Sequence, residues 1–145
     1  MASLSYPVTR YTPPDIVDLG SRAERKRLSA PGLKALFNIA ECWKLRSEEV
    51  RELLGGIANG SYFEMKKNPE GKVLDADQMH RISYLVGIFK ALNILHSQQL
   101  ADEWVKLPNS NRIFNGRTPL EYMIRGGVPA MQTVRRLLDA RRGGI

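Results

Sequence analysis

Between Leu74 and His96 the apolar residues Ile82, Leu85, Val86, Phe89 and Leu92 fall at the spacing of one helical face. Leu74, Met79, Ile88, Ile94 and Leu95 widen that stripe almost all the way round. A helix apolar on most sides lies among other helices rather than on a surface. At ~1.5 Å per residue the stretch spans roughly 34 Å, about the diameter of a small domain. The pattern therefore predicts a central spine over residues 74–96 between two smaller helical units.

Upstream, Pro31-Gly32 predicts a break, after which Leu33, Leu36, Phe37, Ile39, Ala40 and Trp43 share a broad helical face. Ser47 is expected to cap a second helix, with Glu48 and Glu49 in a first turn that favours negative charge. Val50, Leu53 and Leu54 give that helix its apolar side, and Gly55-Gly56 ends it. A third short helix runs from Asn59 or Gly60 to Lys67, where Asn68-Pro69 stops it. Helix, turn, helix, glycine-bearing turn and short lysine-ended helix is the layout of a helix-turn-helix over residues 32–73. On that layout Ser61, Tyr62, Glu64 and Lys67 are expected to face outward, with Phe63 and Met65 turned inward. Lys66 and Lys67 would meet phosphates, Ser61 and Tyr62 base edges or backbone, and Ser47 would join them from the supporting helix. A plain helical bundle with a solvated lysine pair gives the same spacing.

Downstream, Ser97 is expected to cap a helix that turns Leu100, Trp104, Val105 and Leu107 inward and closes at Pro108. A polar loop then leads to Asn115-Gly116, a pair that favours positive φ. Thr118-Pro119-Leu120-Glu121 carries the residues of a capping box: Thr as cap, Pro at the first helical position, Glu three residues after the cap. Leu120, Met123 and Ile124 face inward before Gly126-Gly127 ends the short helix. A last helix from Val128-Pro129 turns Met131, Val134, Leu137 and Leu138 inward and Arg135, Arg136, Arg141 and Arg142 outward.

Composition narrows the class. With 43% hydrophobic and 26% charged residues in 145, the chain suits one domain, or two small ones sharing a core. No apolar run is long enough to cross a membrane, and the N-terminus lacks an apolar signal core, so a cytoplasmic protein is expected. The single cysteine, Cys42, sits in an apolar pattern and reads as a core thiol. His80 and His96 have no second ligand at metal spacing, so neither a metal site nor a cofactor is expected. Paired carboxylates, a nucleophile with its base and a phosphate loop are all missing from the pattern, which argues against an enzyme. The net charge of +7 is uneven: residues 111–145 hold seven arginines against two carboxylates. That excess lies away from the candidate DNA-reading helices and calls for a second acidic partner or another explanation. Residues 1–31, with Pro7, Pro13, Pro14 and the run Arg22, Arg25, Lys26, Arg27, read as a mobile basic arm, either merely solvated or tracking phosphates.

The segment LADEWVKLPNSNRIFNGRTPLEYMIRGG, followed by a helix ending in Arg-Arg-Gly-Gly, resembles the toxin-binding domain of Xre/MbcA/ParS-type antitoxins. Its marks are Trp104, Pro108, Asn109 and Gly116 to Glu121. The segment LFNIAECWKLRSEEVRELLGGIANGSYFEMKK resembles the Xre-like helix-turn-helix of the same proteins, and together the likeness covers about residues 32–142. It implies an all-α fold in which an Xre-like helix-turn-helix unit is joined through a long central helix to a helical toxin-binding unit over residues 97–145. It also implies an antitoxin of a type II system that silences a RES-domain, NAD-targeting toxin and represses its own operon by binding promoter DNA. The toxin-facing candidates are Arg117, Arg135, Arg136, Arg141, Arg142, Gly143, Gly144 and Ile145, a basic helix and tail suited to a cleft built for an anionic dinucleotide. The recognition helix departs from the family, which usually has basic residues and a tryptophan where this chain has Asn59-Gly60 and Met65. Base contacts would then be weak per subunit and gain from a homodimer or from the toxin complex. A stand-alone helix-turn-helix regulator with a dimerising C-terminal unit is the alternative, distinguished by the absence of a stoichiometric toxin partner.

Overall fold

The computed structural model describes residues 18–143, which form six α-helices, three short 3-10 turns and no strand. The first helix, α1, runs Arg22–Cys42 from an N-cap at Ser21, whose hydroxyl accepts the Glu24 amide at 3.4 Å. It passes straight through Pro31-Gly32, so the expected break does not occur, and residues 22–31 are helix rather than mobile arm. The arm's first 17 residues lie outside the described part of the chain.

Two side chains show why the helix survives its proline. Ser29 is fully buried, and its Oγ accepts the Leu74 amide at 2.9 Å while donating to the Arg25 carbonyl. Arg25 Nε donates to the Leu74 carbonyl at 3.1 Å. Both polar groups of Leu74, a residue in the extended link before the spine, are thus held by α1. The apolar face Ala30, Leu33, Leu36, Ile39 and Ala40 then continues across Pro31 without interruption. Burial of that face and the two anchors together offset the hydrogen bond a mid-helix proline forfeits.

A turn at Lys44, in the left-handed region at φ 54°, leads to α2, Ser47–Leu53. The N-cap is Arg46 and not Ser47; the Glu49 carboxylate accepts the Arg46 amide at 2.8 Å, which satisfies the helix end without a hydroxyl. Gly55 (φ 98°) and Gly56 (φ 84°) make the turn into α3, Asn59–Lys67. The Pro69–Gly71 turn and the extended link follow, and α4 occupies Ala76–Leu95. Asp75 caps α4 in a complete box: its carboxylate accepts the Gln78 amide at 2.8 Å and its own amide donates to the Gln78 side chain at 3.1 Å.

The spine lies between α1 and α6 and buries Met79, Ile82, Leu85, Gly87, Ile88, Ala91 and Leu92, positions that wrap most of its circumference. Ile94 departs from the expected stripe: it is 63% exposed, one residue from the end of α4. Helix α5 spans Gln98–Glu103 from the Ser97 cap and tightens into a 3-10 turn over Trp104–Lys106. Trp104 and Val105 are buried, whereas Leu100 and Leu107, expected inside, lie at the surface. The tightening at Trp104 changes the angular step per residue, so the 3.6-residue face does not extend from 100 to 107. The last helix, α6, covers Pro119–Arg142 and bends at Gly127 (φ 65°, ψ −146°), so its two arms match the two helices expected on either side of Gly126-Gly127. One continuous apolar core joins Leu33 in α1 to Leu138 in α6.

Candidate functional site

Two surfaces carry the residues singled out above. The first is the exposed side of α3. Its inward face is Tyr62 and Met65, three residues apart and both buried. Tyr62 therefore does not face outward: its ring meets Phe37 of α1 edge-on at 6.0 Å, and it is 4% exposed. Phe63 is the residue that points out, 52% exposed. An inward alternation of 63 and 65 has the period of a strand, and the helix selects 62 and 65 instead. Ser61, Lys66 and Lys67 are exposed as expected, and Lys66 Nζ lies 5.9 Å from the centre of the Tyr62 ring. Ser47 is exposed at the first turn of α2, which also presents Glu48 and Glu49. A groove of about 750 Å³ separates α1 from α3, walled by Lys34, Asn38, Glu41 and Lys66 over Phe37 and Tyr62.

The second surface is built from the loop after Trp104 and the end of α6. Phe114 is fully buried and takes Trp104 edge-on at 6.1 Å and Tyr122 edge-on at 5.3 Å. The loop is therefore pinned at its middle by an aromatic ladder. Its asparagines shape the rest: Asn109 Oδ1 accepts the Asn111 amide at 2.8 Å, and Asn111 Oδ1 accepts the Ile113 amide at 3.1 Å. Asn115 (φ 50°) and Gly116 (φ 81°) supply the left-handed turn, as the Asn-Gly pair predicts. Thr118 Oγ1 then accepts the Glu121 amide at 3.1 Å, the hydroxyl half of the expected box, and starts α6. The sequence pattern marks the turn and the cap but not the anchor Phe114, whose place in a polar loop hides it.

Arg141 reaches this loop. With Trp104, Leu107, Pro108, Asn109 and Ser110 it lines a hollow of about 280 Å³. Arg117 is exposed beside the Asn-Gly turn, and Arg136 is exposed on α6. Among the described residues neither Arg136 nor Arg141 has a carboxylate within ion-pair distance. Arg135 stands apart from the expected basic face. Its guanidinium lies across α4 at Gly87, where any side chain would collide with it, and pairs with Asp139 at 2.9 Å. Arg142 also approaches Asp139, at 3.7 Å. Gly143 is the exposed cap of α6, and Gly144 and Ile145 lie outside the described residues.

The elements that carry the two surfaces are tied together beneath them. Arg81 of α4 pairs with Asp77 at 2.8 Å, donates to the Leu53 carbonyl at the end of α2, and comes close to the bend at Gly127. Lys106 donates to the Lys44 carbonyl at the other end of the interface. Cys42 lies half-buried in a hollow with Asp102 and Lys106. Burial pushes its thiol above the ordinary range, and Asp102 and Glu41 push it the same way. A thiol held protonated is a poor nucleophile at neutral pH. No cluster of metal-ligating side chains occurs among the described residues, and no helix there is long and apolar enough to cross a membrane.

Comparison with known proteins divides the chain along α4. Residues 21–87 match the antitoxin Xre-like helix-turn-helix domain, starting at the Ser21 cap of α1. Residues 90–144 match the antitoxin Xre/MbcA/ParS C-terminal toxin-binding domain, and include the pinned loop and all of α6. The chain is also similar to the uncharacterized protein y4oB of Sinorhizobium fredii (strain NBRC 101917 / NGR234), 39% identical over 113 residues that cover 77% of this chain and 84% of that protein. No solved structure matches.

Proposed function

Because this chain belongs to the Xre/MbcA/ParS family of antitoxins, we propose that it silences a RES-type, NAD-targeting toxin by occupying it sterically and represses its own operon through α3. The observation that carries the first part is Arg141 standing over the pinned loop of the matched toxin-binding domain. A loop fixed by Phe114 and by side-chain-to-backbone bonds loses little freedom on binding. Arg136, Arg141 and the residues beyond offer guanidinium groups to the carboxylates and polar groups that line a cleft for an anionic dinucleotide. Arg135, committed to Gly87 and Asp139, is a packing residue in this scheme, and the excess charge of the C-terminal 35 residues belongs to the others. Such blocking needs no chemistry from the antitoxin.

For the second part, α2 supports and α3 enters the major groove, with Lys66 and Lys67 at phosphates and Ser61 near the backbone. The chain would act in the cytoplasm as a homodimer, two readers compensating for few base contacts in each. The test is growth of cells that carry the toxin gene adjoining this one. The full chain should restore growth, and a chain lacking residues 141–145 should not. Full protection by the shortened chain would reject the tail as the blocking element.

A further inference from the structure

The outermost stripe of α3 is Gly60, Phe63, Glu64 and Lys67, positions spaced three, four and seven apart and opposite the buried pair Tyr62 and Met65. This is the stripe a recognition helix lays on base edges. It holds one large apolar side chain, Phe63, 52% exposed. Covering that ring would remove apolar surface from water and add to binding. Phe63 meets Tyr62 edge-on at 5.3 Å and 72°, and Tyr62 itself packs edge-on against Phe37. Gly60, one turn earlier, leaves open space where a side chain would stand, so the backbone of α3 can come close to whatever it faces.

In the major groove one base feature is apolar, the C5-methyl group of thymine, and phenylalanine is among the side chains that meet it. We propose that Phe63 is a specificity-determining residue that reads a thymine methyl group in the operator. Resting on the DNA-binding reading above, this assignment adds the base and the atom that α3 selects. Lys67 on the same stripe supplies the phosphate contact, while the Tyr62 edge sets the direction of the Phe63 ring.

The probe is the double-stranded DNA immediately upstream of this chain's gene, amplified either with thymidine or with deoxyuridine, which differs only by the missing methyl group. Binding of the full-length chain, with its toxin where they co-purify, is measured on both DNAs at one salt concentration. Removal of one buried methyl should weaken wild-type binding about fourfold for each thymine contacted. Phe63→Ala should weaken binding to thymidine DNA by a similar factor and be nearly indifferent to the exchange. Equal wild-type affinity for both DNAs overturns the proposal. So does a Phe63→Ala chain that still loses the full factor on deoxyuridine DNA, or one that loses its dimer, which would assign Phe63 to a contact between copies. If wild type ignores both DNAs, the DNA-binding reading falls together with the proposal. The wild-type comparison needs no variant and can overturn the proposal even if Phe63→Ala folds poorly.

Discussion

Gly127 is the position where one methyl group should cost the molecule most. It bends α6 at φ 65°, ψ −146°, a backbone conformation that is essentially confined to glycine. A side chain there would meet only Arg81 Nη2, at 3.6 Å, which is ordinary contact. The penalty of Gly127→Ala is therefore carried by the backbone alone, about 2–3 kcal/mol. Relief by straightening would have to move one arm, and Met123 on the first arm and Met131, Val134 and Leu138 on the second are all buried in one core. At about 3–5 °C per kcal/mol for a chain of this size, the melting temperature should fall by roughly 10 °C. The control is Gly60→Ala, the same chemical change at a helical position with nothing within 4 Å; there the gain in helix propensity should stabilise by up to about 1 kcal/mol. Calorimetry or thermal circular dichroism on the three proteins decides it. A Gly127→Ala chain that melts at or above the wild type would refute the backbone argument.

Other substitutions probe other parts of the account. Ser29→Ala leaves the buried Leu74 amide without its acceptor, and should lower unfolding free energy by about 1–3 kcal/mol in a urea titration, with the slope unchanged; no loss would mean the link before α4 is held by something else. Replacing Lys66 and Lys67 together by alanine should reduce the slope of log affinity against log salt on promoter DNA by about 2, while an unchanged slope would take them off the phosphates. The folded state holds the Cys42 proton more tightly than the unfolded chain does. Its contribution to stability is thus complete below the ordinary thiol pKa and is lost as pH rises through the raised value. Alkylation of Cys42 by iodoacetamide near pH 8 should be slower in the native protein than in urea, and an equal rate would contradict the raised value.

Much of this fold is written in local patterns. The caps at Ser97 and Thr118, the Asn115-Gly116 turn and the glycine bend in α6 each depend on residues a few positions apart, and the structure has them where the sequence puts them. Local pattern misleads where distant residues decide. Pro31-Gly32 reads as a break, yet α1 runs through it because Ser29 and Arg25 reach Leu74, 45 and 49 positions away. Phe114 looks like part of a polar loop until Trp104 and Tyr122 close around it. Arg135 looks like one of four equivalent arginines, and only the glycine at position 87 opposite shows that its guanidinium is used inside the molecule. On α3 an inward pair at 63 and 65 follows a strand's period, and the helix keeps Met65 inside but exchanges Tyr62 and Phe63 between core and surface.

The central claim is that the C-terminal unit holds a toxin through its pinned loop and the arginines of α6. Co-expression of the intact chain with the product of the adjoining gene, followed by size-exclusion chromatography, tests it most directly. The account predicts one stoichiometric complex in which the toxin is inactive, and its loss when Arg136 and Arg141 are both changed to glutamate in a chain that still melts normally. Separate elution of the intact chain and a fully active neighbouring product would contradict it.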